Sequence, residues 1–140
     1  MRTKPALMCI LVALLVGLTA CTPETTTPIN VSCDDFAEQP HIVKVVQLYA
    51  KSSVVVTLCS NQTTGFAWPE SAQISDPAVV EQIDHRYEPP QGDIVGAAGQ
   101  EVWTFKALEQ GQSNILLEYS RPWEGGEKGA WSLTLVVVVQ

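Results

Sequence analysis

The sequence predicts an all-β domain, an antiparallel β-sandwich of about seven strands, over residues 41–140. Three observations carry that reading. Apolar residues recur at every second position in several short runs, turn residues fill the gaps, and no long segment shows a helical period with caps. Ile42 to Tyr49 is valine-rich, and "SVVVTL" (Ser53–Leu58) is short and β-branched, which suits a pleated surface. Ala78 to Tyr87 reads as a further strand. In "EVWTFKAL" (Glu101–Leu108), Trp103, Phe105 and Ala107 fall on one side and Thr104 and Lys106 on the other. "NILLEY" (Asn114–Tyr119) puts Ile115, Leu117 and Tyr119 on one face. The last run sets Trp131, Leu133, Leu135, Val137 and Val139 against Ser132 and Thr134. Its closing "VVVV" is expected in a central strand covered on both faces, because an exposed apolar edge invites aggregation. Turn signals at Glu88-Pro89-Pro90-Gln91-Gly92, Glu109-Gln110-Gly111-Gln112 and Glu124-Gly125-Gly126 separate the runs. Short strands at this spacing fit a sandwich of immunoglobulin-like kind.

The first twenty residues stand apart. Arg2 and Lys4 precede an apolar run from Ala6 to Leu18, and small residues then lead to Cys21. This is the layout of a secretory signal peptide. The run is shorter than the roughly 20 residues that span a bilayer. The stretch Leu18-Thr19-Ala20-Cys21 resembles the lipobox of bacterial lipoproteins. That resemblance implies cleavage before Cys21, acylation of Cys21 and attachment to a membrane. Thr22 stands where an aspartate does not, which by the same resemblance favours the outer membrane where the cell has one. The expected location is therefore the cell envelope, outer membrane or cell surface. Residues 22–40, rich in threonine and proline, read as a tether whose end is pinned by Cys33.

Composition narrows the function. Loss of Arg2 and Lys4 with the leader leaves six basic against fifteen acidic side chains, a charge of −9. An acidic exported domain is a poor binder of nucleic acid, whose phosphates need clustered Lys and Arg. Nor would charge hold it to anionic lipid, so attachment falls to the acyl chains. Cys9 leaves with the leader and Cys21 is acylated, which leaves Cys33 and Cys59 as an even pair in an oxidising compartment. A disulfide between them is expected, worth roughly 3 kcal/mol in the chain-entropy model.

No catalytic constellation is legible. The two histidines, His41 and His85, lack ligand-like spacing, and no metal or cofactor is expected. Asp84 and His85 are neighbours on a strand, so they face opposite ways, and both read as surface residues. Gly96-Ala97-Ala98-Gly99 is not followed by Lys-Ser/Thr, so it is not a phosphate loop. Asn61-Gln62-Thr63 matches a glycosylation acceptor, but the lipobox points to a bacterial-type cell.

Loop chemistry is the stronger signal. Three loops stand out: Asn61-Gln62-Thr63-Thr64-Gly65-Phe66, then Gly96-Ala97-Ala98-Gly99, then Ser120-Arg121-Pro122-Trp123-Glu124. Tryptophan and arginine on a turn are the side chains most enriched in binding hot spots. Trp123 sits between a proline and a Glu-Gly-Gly turn, where burial in its own core is hard. Phe66, Trp68, Trp103 and Trp131 instead fall at strand spacing and are expected in the core. Arg121 has Glu124 nearby as an exposed ion-pair partner. Alternate loops of a sandwich gather at one end, so the three are expected together.

"NQTTGFAW", "GAAGQEVWTFKAL" and "SRPWEGG" resemble, in order and spacing, the signature loops of the chagasin-like inhibitors of papain-family cysteine peptidases, inhibitor family I42. That family's motifs are N-P-T-T-G-[FY]-x-W, G-x-x-G and R-P-W-E. The resemblance runs from about Ile42 to the end of the chain and implies a monomeric immunoglobulin-like sandwich that is not an enzyme. It implies that Thr63 and Thr64 approach the peptidase's catalytic cysteine while Gly65 shapes the turn. It also implies that Gly96 to Gly99 lie along the unprimed side of the cleft, with Arg121, Pro122, Trp123 and Glu124 on the primed side. Gln62 replaces the family proline, and the lost restraint on the loop costs up to about 1 kcal/mol of affinity. The competing class is a non-inhibitory binding or structural lipoprotein of the envelope, because the fold alone supports many roles.

Overall fold

The computed structural model of the protein describes residues 23–140. The expected leader, Cys9 and the acylation expected at Cys21 lie outside the described residues. Among the described residues, eight strands form two four-stranded sheets. One sheet runs β1 (Thr26–Val31), β3 (Ser53–Ser60), β6 (Gly99–Ala107), β5 (Val80–Glu88) across its width. The other runs β2 (His41–Leu48), β8 (Trp131–Val139), β7 (Gly111–Tyr119), β4 (Gln73–Ile74). The fold is the expected all-β, immunoglobulin-like sandwich.

Its core follows the alternation. Val54, Val56 and Leu58 of β3 and Trp103, Phe105 and Ala107 of β6 meet Ile115, Leu117 and Tyr119 of β7 and Leu133, Leu135 and Val137 of β8. Trp68 is buried, as its strand spacing predicts, with its indole N–H donating to the Cys59 carbonyl at 2.8 Å. Trp131 and Phe66 are only partly buried and pack against the core's edge.

Three expectations need correcting. The tether over 22–40 is much shorter: β1 and a helix α1 (Cys33–Glu38) occupy most of it. Thr27, Ile29 and Val31 alternate inward along β1, and Pro28 is tolerated because β1 is an edge strand. Ser32 caps α1 in a reciprocal capping box with Asp35. The Ser32 amide, then its hydroxyl, hold the Asp35 carboxyl below its usual pKa. The helix delivers Phe36, fully buried, onto Trp131 at 5.0 Å and Trp68 at 5.4 Å. Next, the sheets are not purely antiparallel. β1 runs parallel to β3, and β2 parallel to β8. Consecutive β1 and β2 lie in different sheets, joined across one end by α1, so neither pairs with a hairpin neighbour. Finally, β8 is central but covered on one face only. Val137 and Val139 are buried, while Val136 and Val138 face outward and are half-buried, since each sheet of a two-layer sandwich has one covered face.

Two features of the frame position the loops. Cys33 and Cys59 are disulfide-bonded with Cα atoms 5.2 Å apart, which ties α1 to the end of β3. At the opposite end of β3, the Ser53 amide donates to the Thr25 carbonyl at 2.8 Å and the Thr25 amide to Ser52 Oγ at 3.3 Å. The eight residues of β3 thus separate the chain's entry from the first loop by about 25 Å.

Phe36→Ala empties a packed aromatic site and should cost about 3–5 kcal/mol in urea unfolding. A loss below about 1 kcal/mol would show that α1 is an appendage. Reduction of the disulfide should raise the mass by about two daltons and lower stability by roughly 3 kcal/mol.

Candidate functional site

The first loop is built on Asn61. Its side-chain oxygen accepts from the Thr63 amide at 3.2 Å and the Thr63 hydroxyl at 2.6 Å, capping a single 3₁₀ turn over Gln62–Thr64. The Thr64 hydroxyl donates to the Asn61 carbonyl at 2.7 Å. Gln62, Thr63 and Thr64 stand exposed at the tip. Gly65 closes the turn with φ +79°, a conformation few other residues adopt. Below the tip, the Tyr119 hydroxyl accepts from the Asn61 amide at 2.9 Å and donates to the Asn61 carbonyl at 3.0 Å.

The second loop is tied to the first. The Asn61 side-chain amide donates to the Gly96 carbonyl at 3.1 Å. A turn closed by the Ala97 amide on the Ile94 carbonyl (3.3 Å) puts Val95 and Gly96 at its corner, with Gly96 at φ +79°. Gly99 is buried as the first residue of β6, and a Cβ there would lie 2.5 Å from the Glu88 carbonyl. The loop therefore has a fixed floor and an exposed crest.

The third loop leans on the first. Ala67 and Ser120 exchange both backbone hydrogen bonds, at 2.9 and 3.0 Å. The Arg121 guanidinium lies 4.5 Å over the Phe66 ring and 5.9 Å from Trp123. The alternative of an exposed pair with Glu124 is not taken: no Arg121–Glu124 ion pair forms among the described residues, because the guanidinium stacks on the ring instead. Trp123 is 52% exposed, yet its ring edge sits over Gly65, where a Cβ would come within 2.8 Å. Lys128 braces the loop from behind through the Arg121 and Trp123 carbonyls.

All three predicted loops thus meet at one end of the sandwich. Asn61, Gly65 and Phe66 form the junctions, while Gln62, Thr63, Thr64, Ala98, Pro122, Trp123 and Glu124 present the outer surface. Sequence reasoning missed several members. Ile94 and Val95, 74% and 100% exposed, extend the surface at the second loop. Their signal was an apolar β-branched pair between Asp93 and Gly96. The Tyr119 clamp was also missed, although a core-face tyrosine needs a partner for its hydroxyl. His85 was misread as a surface residue. A β-bulge between Gln82 and Asp84 turns it to the core face, opposite Trp103, where Nε2 meets the buried Glu101 carboxylate at 2.8 Å. Asp84 instead faces out and pairs with Arg86 at 3.1 Å.

Comparison with known proteins adds an independent line. The model of the chagasin family peptidase inhibitor I42 matches residues 47–137. Amoebiasin-2 of Entamoeba histolytica is 33% identical over 87 residues, which cover 62% of this chain and 70% of that protein. Two solved structures share the fold. One is a crystal structure of a cysteine protease inhibitor from Entamoeba histolytica, with TM-score 0.63 and 23% identity over 85% of this chain and all of that one. The other is PbICP-C in complex with falcipain-2, with TM-score 0.59 and 16% identity over 79% of this chain and 98% of that one. On the family match and the amoebiasin-2 relationship, this chain belongs to the chagasin family of peptidase inhibitors, a family of inhibitors rather than enzymes.

Proposed function

We propose that this protein is a reversible, tight-binding inhibitor of papain-like cysteine peptidases that fills the active-site cleft with its three loops. The observation that carries this reading is the hydrogen-bonded and stacked union of the three motifs at one end, through Asn61, Gly65 and Phe66. Each loop is fixed before a partner arrives, so little ordering entropy is spent on binding. In this reading Thr63 and Thr64 enter the cleft beside the catalytic cysteine. The crest from Gly96 to Gly99 lies along the unprimed side, where small residues permit backbone pairing. Arg121, Pro122, Trp123 and Glu124 cover the primed side, with Trp123 stacking on an aromatic of the enzyme. The loops present no scissile carbonyl to the nucleophile, so the complex is not cleaved. Gln62 lacks the family proline's restraint, but the Asn61 cap supplies part of it.

The same proposal places the inhibitor as a monomer on the cell envelope, outer membrane or cell surface, through acylated Cys21. Entry of the chain at Thr25, about 25 Å from the first loop, supports this. An anchor upstream of Thr25 would join the domain at the end of β3 opposite the first loop.

Titration of papain and a cathepsin-L-like peptidase with the purified protein tests the function. Inhibition at sub-micromolar concentration is expected. Full peptidase activity at micromolar inhibitor, with the fold verified by circular dichroism, would leave the envelope-structural reading in its place. Replacing both Thr64 and Trp123 by alanine should weaken inhibition more than tenfold while the melting temperature moves by no more than about 3 °C, since both side chains are exposed. A large drop in melting temperature would assign them to the fold instead. Gly65→Ala forces a side chain into positive φ and into the Trp123 ring, so it should raise the inhibition constant at least tenfold. An unchanged constant would show that the Gly65–Trp123 contact does not shape the binding surface.

A further inference from the structure

Beneath the first two loops, the core face of the sandwich carries charge where the strand pattern asks for an apolar residue. Glu101 shares its face with Trp103, Phe105 and Ala107 and is 4% exposed. Its Oε1 accepts from the Ser60 hydroxyl at 2.9 Å, and its Oε2 meets His85 Nε2 at 2.8 Å. Ser60 is fully buried, and the His85 side chain is 20% exposed and lies 5.0 Å from the Trp103 ring. The β-bulge in β5 is what brings His85 to this face; unbroken pairing from Gln82–Phe105 would set His85 opposite Val102, facing out. A buried ionic group is costly, and replacing the whole group by apolar side chains is often neutral or stabilising, whereas removing one partner is not. Packing alone therefore does not explain the arrangement, and rule-breaking of this kind concentrates at functional sites.

Its position suggests the reason. Ser60 immediately precedes Asn61, the residue on which the first loop is built. Glu101 follows Gly99, the end of the second loop, by two residues on the adjacent strand, where Ser60 pairs with Gly99. The Ser60–Glu101 bond therefore crosses between the bases of the two loops, while Asn61–Gly96 joins them higher up. His85 holds the other carboxylate oxygen from β5 and so stops the Glu101 side chain from turning.

We propose that Glu101, held between Ser60 and His85, is a positioning residue for inhibition, which fixes the spacing of the first two loops rather than the stability of the sandwich. The proposal rests on the inhibitor reading for its functional half, and its test has a second readout that does not. The triple variant Ser60→Ala, Glu101→Met and His85→Phe replaces the whole cluster by apolar side chains and leaves no buried partner unpaired. The purified protein and this variant are compared by melting temperature, by dissociation rate from papain, and by amide hydrogen exchange of residues 61–65 and 95–98. The expected result is a melting temperature equal to or above that of the parent, at least tenfold faster dissociation, and at least tenfold faster exchange in both loops. Parent-like dissociation and parent-like exchange would overturn the proposal. A lowered melting temperature with parent-like dissociation and exchange is the outcome a purely structural role gives, and it would overturn the proposal. Should the triple variant fail to fold, Ser60→Ala and His85→Phe each remove one of the two bonds. Faster exchange in residues 61–65 in both variants supports the proposal, and unchanged exchange in both overturns it. Failure of the parent to inhibit papain would remove the inhibitor reading, and the exchange data would still decide whether Glu101 sets the loops.

Discussion

One hydroxyl holds the loop cluster to the frame. Tyr119 Oη accepts from the amide of Asn61 and donates to its carbonyl, so both backbone groups of that residue are fixed by a side chain from the opposite sheet. Tyr119 is itself immobile, with its ring 5.1 Å from Trp131, 4.9 Å from Trp68 and 5.4 Å from Phe66. It is also the last residue of β7, directly before the third loop. A single core residue thus sets where the first loop begins and where the third departs. Losing the hydroxyl would leave the partly buried Asn61 amide unpaired, at about 1–3 kcal/mol, while the Asn61 carbonyl would keep the Thr64 hydroxyl.

The same end of the molecule carries the disulfide, α1 and most of the aromatic packing. Phe36, Trp68, Tyr119 and Trp131 form one aromatic cluster, and Cys33–Cys59 ties α1, which carries Phe36, to β3. Such concentration gives the loop end a stiff base. The tip itself is small and polar: Gln62, Thr63 and Thr64 offer hydroxyl and amide groups on a turn already closed by Asn61. Stiffness comes from below and chemistry from above. Gly65 is where the two meet, because only a residue without Cβ lets the edge of the Trp123 ring come this close to the turn.

Much of this was legible in the sequence, for identifiable reasons. Strict alternation around Trp103, Leu117 and Leu135 marked the core faces, because burial on one side of a pleat leaves a period of two. The loop motifs marked the surface that gathers at one end, because Gly65 and Trp123 sit where strands do not need them. Three things were hidden. β1 and α1 looked like a tether, since threonine and proline masked an alternation of only three inward residues, although the Ser32–Asp35 spacing of a capping box was present. The two parallel ladders depend on which sheet each strand joins, and that is decided by contacts far apart in the chain. His85 was invisible because a bulge changes facing without any residue that announces it. Glu101 carried a signal, a carboxylate on an otherwise apolar face, whose meaning appears only once Ser60 and His85 are beside it.

The central claim is that the three loops together occlude a cysteine peptidase's active site. The most direct measurement is the rate at which iodoacetamide alkylates the catalytic cysteine of papain as this protein is added. If the loops fill the cleft, alkylation slows in proportion to the fraction of enzyme bound and stops at one equivalent. Binding without protection, with alkylation at the rate of the free enzyme, would contradict the account.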